Sequence, residues 1–95
     1  MEVVAHRSSA WFLLQQDCKY YIDVNCESGF VSFSALVQLN SSEKMHYESQ
    51  GIRFIENLAE VIAGKAQISH PRNIKDKELL DMAHESIMEW KSDQT

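Results

Sequence analysis

One proline and three glycines are the only strong chain breakers in 95 residues, a composition that argues against disorder and low-complexity tracts. Those glycines, at positions 29, 51 and 64, stand apart from one another, which excludes a glycine-rich phosphate loop. Cysteine is equally scarce. Cys18 and Cys26, if joined by one strand, sit about 26 Å apart, far beyond disulfide reach. They therefore read as reduced thiols, which points to a cytoplasmic protein. No CxxC or HxxxH spacing pairs one metal ligand with a neighbour, so neither a metal nor another cofactor is expected. No run approaches about 18 apolar residues, and no basic segment followed by an apolar one succeeds Met1. A membrane span and a secretory signal are both excluded on that reading. Positive charge is in deficit, with 9 Lys and Arg against 14 Asp and Glu. The resulting net charge of −5 repels phosphate backbones and makes nucleic acid a poor partner.

What is present suits one globular domain. Hydrophobic residues at 44% and charged residues at 24% can support a core and a solvated surface, with a narrow margin over conformational entropy at this length. The starting Met and clean ends read as a complete small protein, compatible with a bacterial accessory gene product.

The pattern predicts an α+β fold. An antiparallel β-meander of three to four strands occupies residues 1–39, followed by two helices. Val3 to His6 is a candidate first strand. Ala10 to Gln16, bulky and apolar at five positions, is the next. Asp17-Cys18 makes a two-residue turn, without the glycine that a primed turn prefers. Lys19 to Asn25 alternates, with Tyr20, Ile22 and Val24 on one face and Tyr21, Asp23 and Asn25 on the other. A loop over Cys26–Gly29 leads to Phe30–Leu39. Pairing Val24 with Val31 and Ile22 with Phe33 keeps the apolar faces together, whereas a slip of one residue mixes them.

Residues 40–64 predict one long helix. Asn40 with Glu43 three positions on resembles a capping box. A stripe of Tyr47, Gly51, Phe54, Leu58 and Val61, widened by Ile52, Ile55, Ala59 and Ile62, suits packing across the sheet. Gly51 is expected to be tolerated there, to mark a mild kink, or to allow close backbone approach. Residues 65–75 form a connector, residues 76–91 a second helix and residues 92–95 a tail. The second helix carries Leu80, Ala83, Ile87 and Trp90 on one face. Glu78, Asp81, Glu85 and Glu89 form an acidic stripe on the other.

The face of the sheet turned away from the first helix is the sequence's main anomaly. It holds Tyr21, Phe30 and Leu36, joined by Phe12 and Leu14 or by Trp11 and Leu13 according to the register of the second strand. Leaving such a patch wet forfeits several kcal/mol at about 25 cal/mol per Å². A covering helix, a second copy of the chain, or a ligand or foreign partner would each explain it. The acidic stripe reads as a solvated face, with a basic partner or divalent cation as the sharper alternative.

Catalytic constellations are hard to find. His6, His46, His70 and His84 fall in different elements, and His84-Glu85-Ser86 splays by about 100° per residue on a helix, which forbids a relay. The connector's Lys65, Arg72, Lys75 and Lys77 form only a loose basic group. No catalytic residue is assigned. The leading expectation is a non-catalytic interaction protein that forms a homodimer or binds another protein through the second sheet face or a strand edge. The alternatives are a small-molecule binding module with a pocket between sheet and helices lined by Trp11, Tyr20, Phe33 and Phe54, and an enzyme using a histidine and a carboxylate from different elements.

Overall fold

A computed structural model describes residues 1–7, 10–28, 31–64 and 72–93. The chain runs β1 (Glu2–Arg7), β2 (Trp11–Gln16), β3 (Lys19–Ser28), β4 (Val31–Gln38), α1 (Ser41–Gln50), α2 (Ile52–Gly64) and α3 (Lys77–Asp93). The four strands form one antiparallel sheet in the order β1-β2-β3-β4, the meander that the alternating patterns predict. Between β2 and β3 the turn is Asp17-Cys18, closed by Gln16 opposite Lys19. Asp17 supplies the positive φ of 57° that glycine would otherwise bring. This register settles the faces of β2. Trp11 and Leu13 belong to the first face, Phe12 and Leu14 to the second.

The β3–β4 register differs from the sequence expectation. Val24 lies opposite Ala35 and Ile22 opposite Val37, four residues along β4 from the expected partners. A shift by an even number leaves every side chain on its face, so hydrophobic alternation cannot detect it. Cys26 pairs with Phe33 and Ser28 with Val31, so positions assigned to a loop join the ladder and the connection shortens. A second irregularity lies in β1, where the register shifts between Val3 and Ala5 and pushes Val4 out as a bulge.

Helix α1 begins as expected. The Asn40 side chain accepts from the Glu43 N–H at 2.8 Å, and the Glu43 carboxylate accepts from the Asn40 N–H at 2.9 Å. Arg72 then clamps Glu43 at 2.6 and 3.0 Å while also donating to the Gln38 carbonyl. Burial alone would raise the Glu43 carboxyl, but the Arg72 guanidinium and the Asn40 N–H hold it below the ordinary range. Ile74 adds an N–H to the Leu36 carbonyl at 2.8 Å, so residues 72–74 satisfy part of the outer edge of β4.

The single helix expected over residues 40–64 is two. Gly51 has φ 71° and ψ −147°, donates to the Tyr47 carbonyl to close α1, and accepts from Phe54 to start α2. A Cβ there would meet nothing within 4 Å, so close backbone approach is not its role. The break re-aims the second half. Ile55 and Ala59 are buried on the sheet with Leu58 and Ile62 beside them, whereas Ile52 and Val61, expected in the stripe, are 40% and 52% exposed. The first core gathers those α2 side chains with Trp11, Leu13, Ile22, Val24, Cys26, Ala35, Val37 and Leu39.

Helix α3 packs on the opposite face, making three layers. Asp76, expected inside the helix, stands just before it and accepts from the Glu78 N–H at 2.9 Å. Ala83 and Ile87 are buried against Leu14, Tyr21 and Leu36, flanked by Val3, Ile74, Leu79 and Leu80. The Ser86 hydroxyl lies 2.6 Å from the Met1 carbonyl and 2.9 Å from that of Met82, tying the start of the chain to α3. Three members of the proposed interaction face, Leu14, Tyr21 and Leu36, are thus core residues of this chain. The expectation that they face a partner is corrected, because α3 removes the same apolar surface from water. Phe12 is only half-buried, and Phe30 lies outside the described residues.

Candidate functional site

One row of side chains crosses the second face of the sheet: His6 opposite Phe12, Phe12 opposite Asp23, and Asp23 opposite Leu36. A carboxylate in the centre of that row is unexpected. Asp23 is 5% exposed and is the one charged residue among the buried positions described. Its neighbours one pleat away, Asn25 and Ser34, continue the polar character, with the Ser34 hydroxyl 3.5 Å from the Asn25 side-chain oxygen.

The last turns of α3 form the opposite wall. His84, Ile87, Met88 and Lys91 recur at intervals of three, one and three, which places them on one helix face. Ile87 closes the core. Beyond it His84, Met88 and Lys91 border a recess of about 490 Å³ whose sheet side is Phe12, Asp23, Asn25 and Ser34. Aromatic rings line its other flank. Trp90 stands edge-on to Phe12 at 5.5 Å and 75°, and His6 packs on Trp90 at 4.1 Å. Lys91 Nζ sits 5.7 Å from the centre of the Phe12 ring.

Burial pushes the Asp23 carboxyl above its ordinary range, and the positive charges of His84 and Lys91 together with a hydrogen bond from Ser34 offset this only in part. The carboxylate is therefore short of compensating charge where it lies. Such a group can bind a cation, accept hydrogen bonds from a ligand, or exchange a proton. His84 borders the same recess as Asp23, so a histidine and a carboxylate from different elements line one cavity, with no hydrogen bond between them.

Other expected site residues are placed elsewhere. Of the proposed pocket, Trp11 borders this recess and a second one of about 400 Å³ beside Arg7, Glu56 and Glu60. Tyr20 packs edge-on against Tyr47 at 5.3 Å, Phe54 stacks on His46 at 5.4 Å, and Phe33 lies against the first core. These three aromatics border neither recess, so of the four residues of the expected pocket only Trp11 lines these cavities, one under α3 and one between the sheet and α2. Glu78, Asp81, Glu85 and Glu89 all face outward on α3. Cys18 is exposed in its turn, Cys26 is buried, and burial pushes the Cys26 thiol up, which suppresses its reactivity. Arg72 is committed to Glu43. His70 and Lys65 lie outside the described residues. Among the described residues no group of three His, Cys, Asp or Glu side chains is placed to hold a metal ion, and no helix is long and apolar enough to cross a membrane.

The sequence does contain a signal for Asp23. It alternates with Tyr21 and Asn25 onto the same face as Leu36, an ionisable group set among large apolar ones. Its meaning depends on α3 covering that face, which alternation within the strands does not reveal. Comparison with known proteins gives no further guide: no family model, curated protein or solved structure matches the chain.

Proposed function

We propose that this protein is a small-molecule binding module whose ligand occupies the recess between α3 and the sheet. The observation that carries this reading is Asp23, a carboxylate 5% exposed on the floor of a recess large enough for a small ligand. An apolar residue there would extend the second core, and asparagine would fill the same space without charge. Retaining the charge costs stability, a pattern that ligand sites favour.

The test is Asp23→Asn, read for stability and for ligand response together. Because the folded-state pKa of Asp23 is raised, its destabilising effect is absent below the unfolded-state pKa, grows as pH rises from the unfolded to the folded value, and is fully present above it. The asparagine variant should thus be more stable than the parent at neutral pH, with the gain disappearing in acid. In ¹H–¹⁵N spectra a fragment set should give saturable shifts at Phe12, Asp23, His84 and Trp90 of the parent, weakened in the variant. Fragments that shift only residues remote from α3 would count against the reading.

A second reading keeps a protein partner. Strand β1 is an edge strand, and its bulged Val4 is an exposed apolar side chain. Self-association or capture of another chain along that edge is the form of the interaction hypothesis that α3 leaves available, although a bulge more often discourages edge pairing. Light scattering over a dilution series separates the two. The binding-module reading expects monomer mass throughout, and a dimer mass that falls on dilution favours the edge.

A further inference from the structure

We infer that the ligand of this recess is an organic cation, a protonated amine carrying an apolar group, and that Lys91 is a tethered competitor for its place. The inference rests on the binding reading above and specifies its chemistry.

Charge decides the class. Asp23 is buried on the floor, and an anionic ligand entering beside it would meet a like charge where water screens poorly. A neutral ligand that pushed Lys91 aside would leave Asp23 with less compensating charge than before. An ammonium group supplies the missing charge and gains from the ring faces nearby. Phe12 and Trp90, set edge-to-face at 5.5 Å, provide both an aromatic surface and an apolar wall. The recess, about 490 Å³, accommodates an amine with a single ring.

Lys91 already stands where such a ligand would bind. Its ammonium lies 5.7 Å from the centre of the Phe12 ring, and it borders the same recess as the Asp23 carboxylate without pairing with it directly. The lysine belongs to the last turn of α3 and is exposed, so it can swing into solvent at little cost when another cation arrives. Lys91 therefore sets a threshold: a ligand must outcompete a group held near the site by the helix itself.

The experiment titrates the folded full chain with benzylammonium, benzyl alcohol and benzoate, following the fluorescence of Trp11 and Trp90. Benzylammonium should saturate in the millimolar range and bind about tenfold more tightly than benzyl alcohol, with benzoate weaker still. Asp23→Asn should weaken benzylammonium about tenfold and leave benzyl alcohol nearly unchanged. Lys91→Met, which keeps the stem and removes the charge, should tighten benzylammonium about threefold. Equal binding of amine and alcohol overturns the cation assignment while leaving the recess as a binding site. Weaker amine binding by Lys91→Met, or no change, overturns the competitor role, and a preference for benzoate assigns the site to anions. If no probe saturates, the binding reading falls together with its chemistry.

Discussion

Leu36→Glu abolishes the native fold, or releases α3 from it, under conditions in which the parent chain is stable. Leu36 is 2% exposed and packs under α3 with Leu14, Tyr21, Ala83 and Ile87. A carboxylate there loses its hydration and has Asp23 directly opposite on β3, so two like charges would share one cross-strand pair. The expected loss is about 4 kcal/mol or more, against about 2–4 kcal/mol for Leu36→Ala, which leaves only a cavity. Urea denaturation measures both, and near-ultraviolet circular dichroism reports the packing of Trp90 against Phe12. A Leu36→Glu protein with parental stability would mean that α3 does not cover the second face. That result would remove the recess as well, because α3 is one of its walls.

Gly51→Ala lowers stability by about 1–3 kcal/mol, although its Cβ would touch nothing. The cost is conformational, since φ 71° with ψ −147° is a region that essentially only glycine occupies without strain. The variant has one escape, which is to adopt helical angles and fuse α1 with α2. A continuous helix would rotate Ile55 and Ala59 away from the sheet, so that escape forfeits part of the first core. Gly64→Ala is the control. Gly64 ends α2 with no positive φ and open space around its Cβ, and the substitution should be neutral or mildly stabilising. Equal behaviour of the two variants in thermal denaturation would contradict the assigned break.

Gly51 also shows where the sequence stops being informative. Asn40 and Glu43 announce the start of α1 through side-chain chemistry local to four residues, and the capping box forms as read. The strands are equally legible, because alternation over Lys19–Asn25 needs no knowledge of distant elements. The helix break is different. Apolar residues continue past Gly51 at near-helical spacing, and only the docking of Ile55 and Ala59 reveals that the phase has been reset. The β3–β4 register escaped for a related reason: alternation has period two, and a four-residue shift preserves it.

The site was half legible. Sequence alone identified a second sheet face in need of cover and placed Tyr21 and Leu36 there, with Phe12 left open to the register of β2. It could not say that Leu80, Ala83 and Ile87 provide the cover, since their stripe would fit either face. Without that placement, Asp23 is merely a polar residue in an alternating strand. Once α3 is seated, Asp23, His84 and Lys91, separated by up to 68 positions in the chain, border one recess.

The most direct test is a pH titration of the Asp23 carboxyl carbon by ¹³C NMR, run with and without benzylammonium. His84, Lys91 and Ser34 are the groups that oppose the effect of burial on it, so all three remain in the protein measured. The account predicts a pKa above the ordinary aspartate range in the free protein, and a fall when the amine binds, because a bound cation favours the ionised form. An ordinary value unmoved by the amine would contradict it.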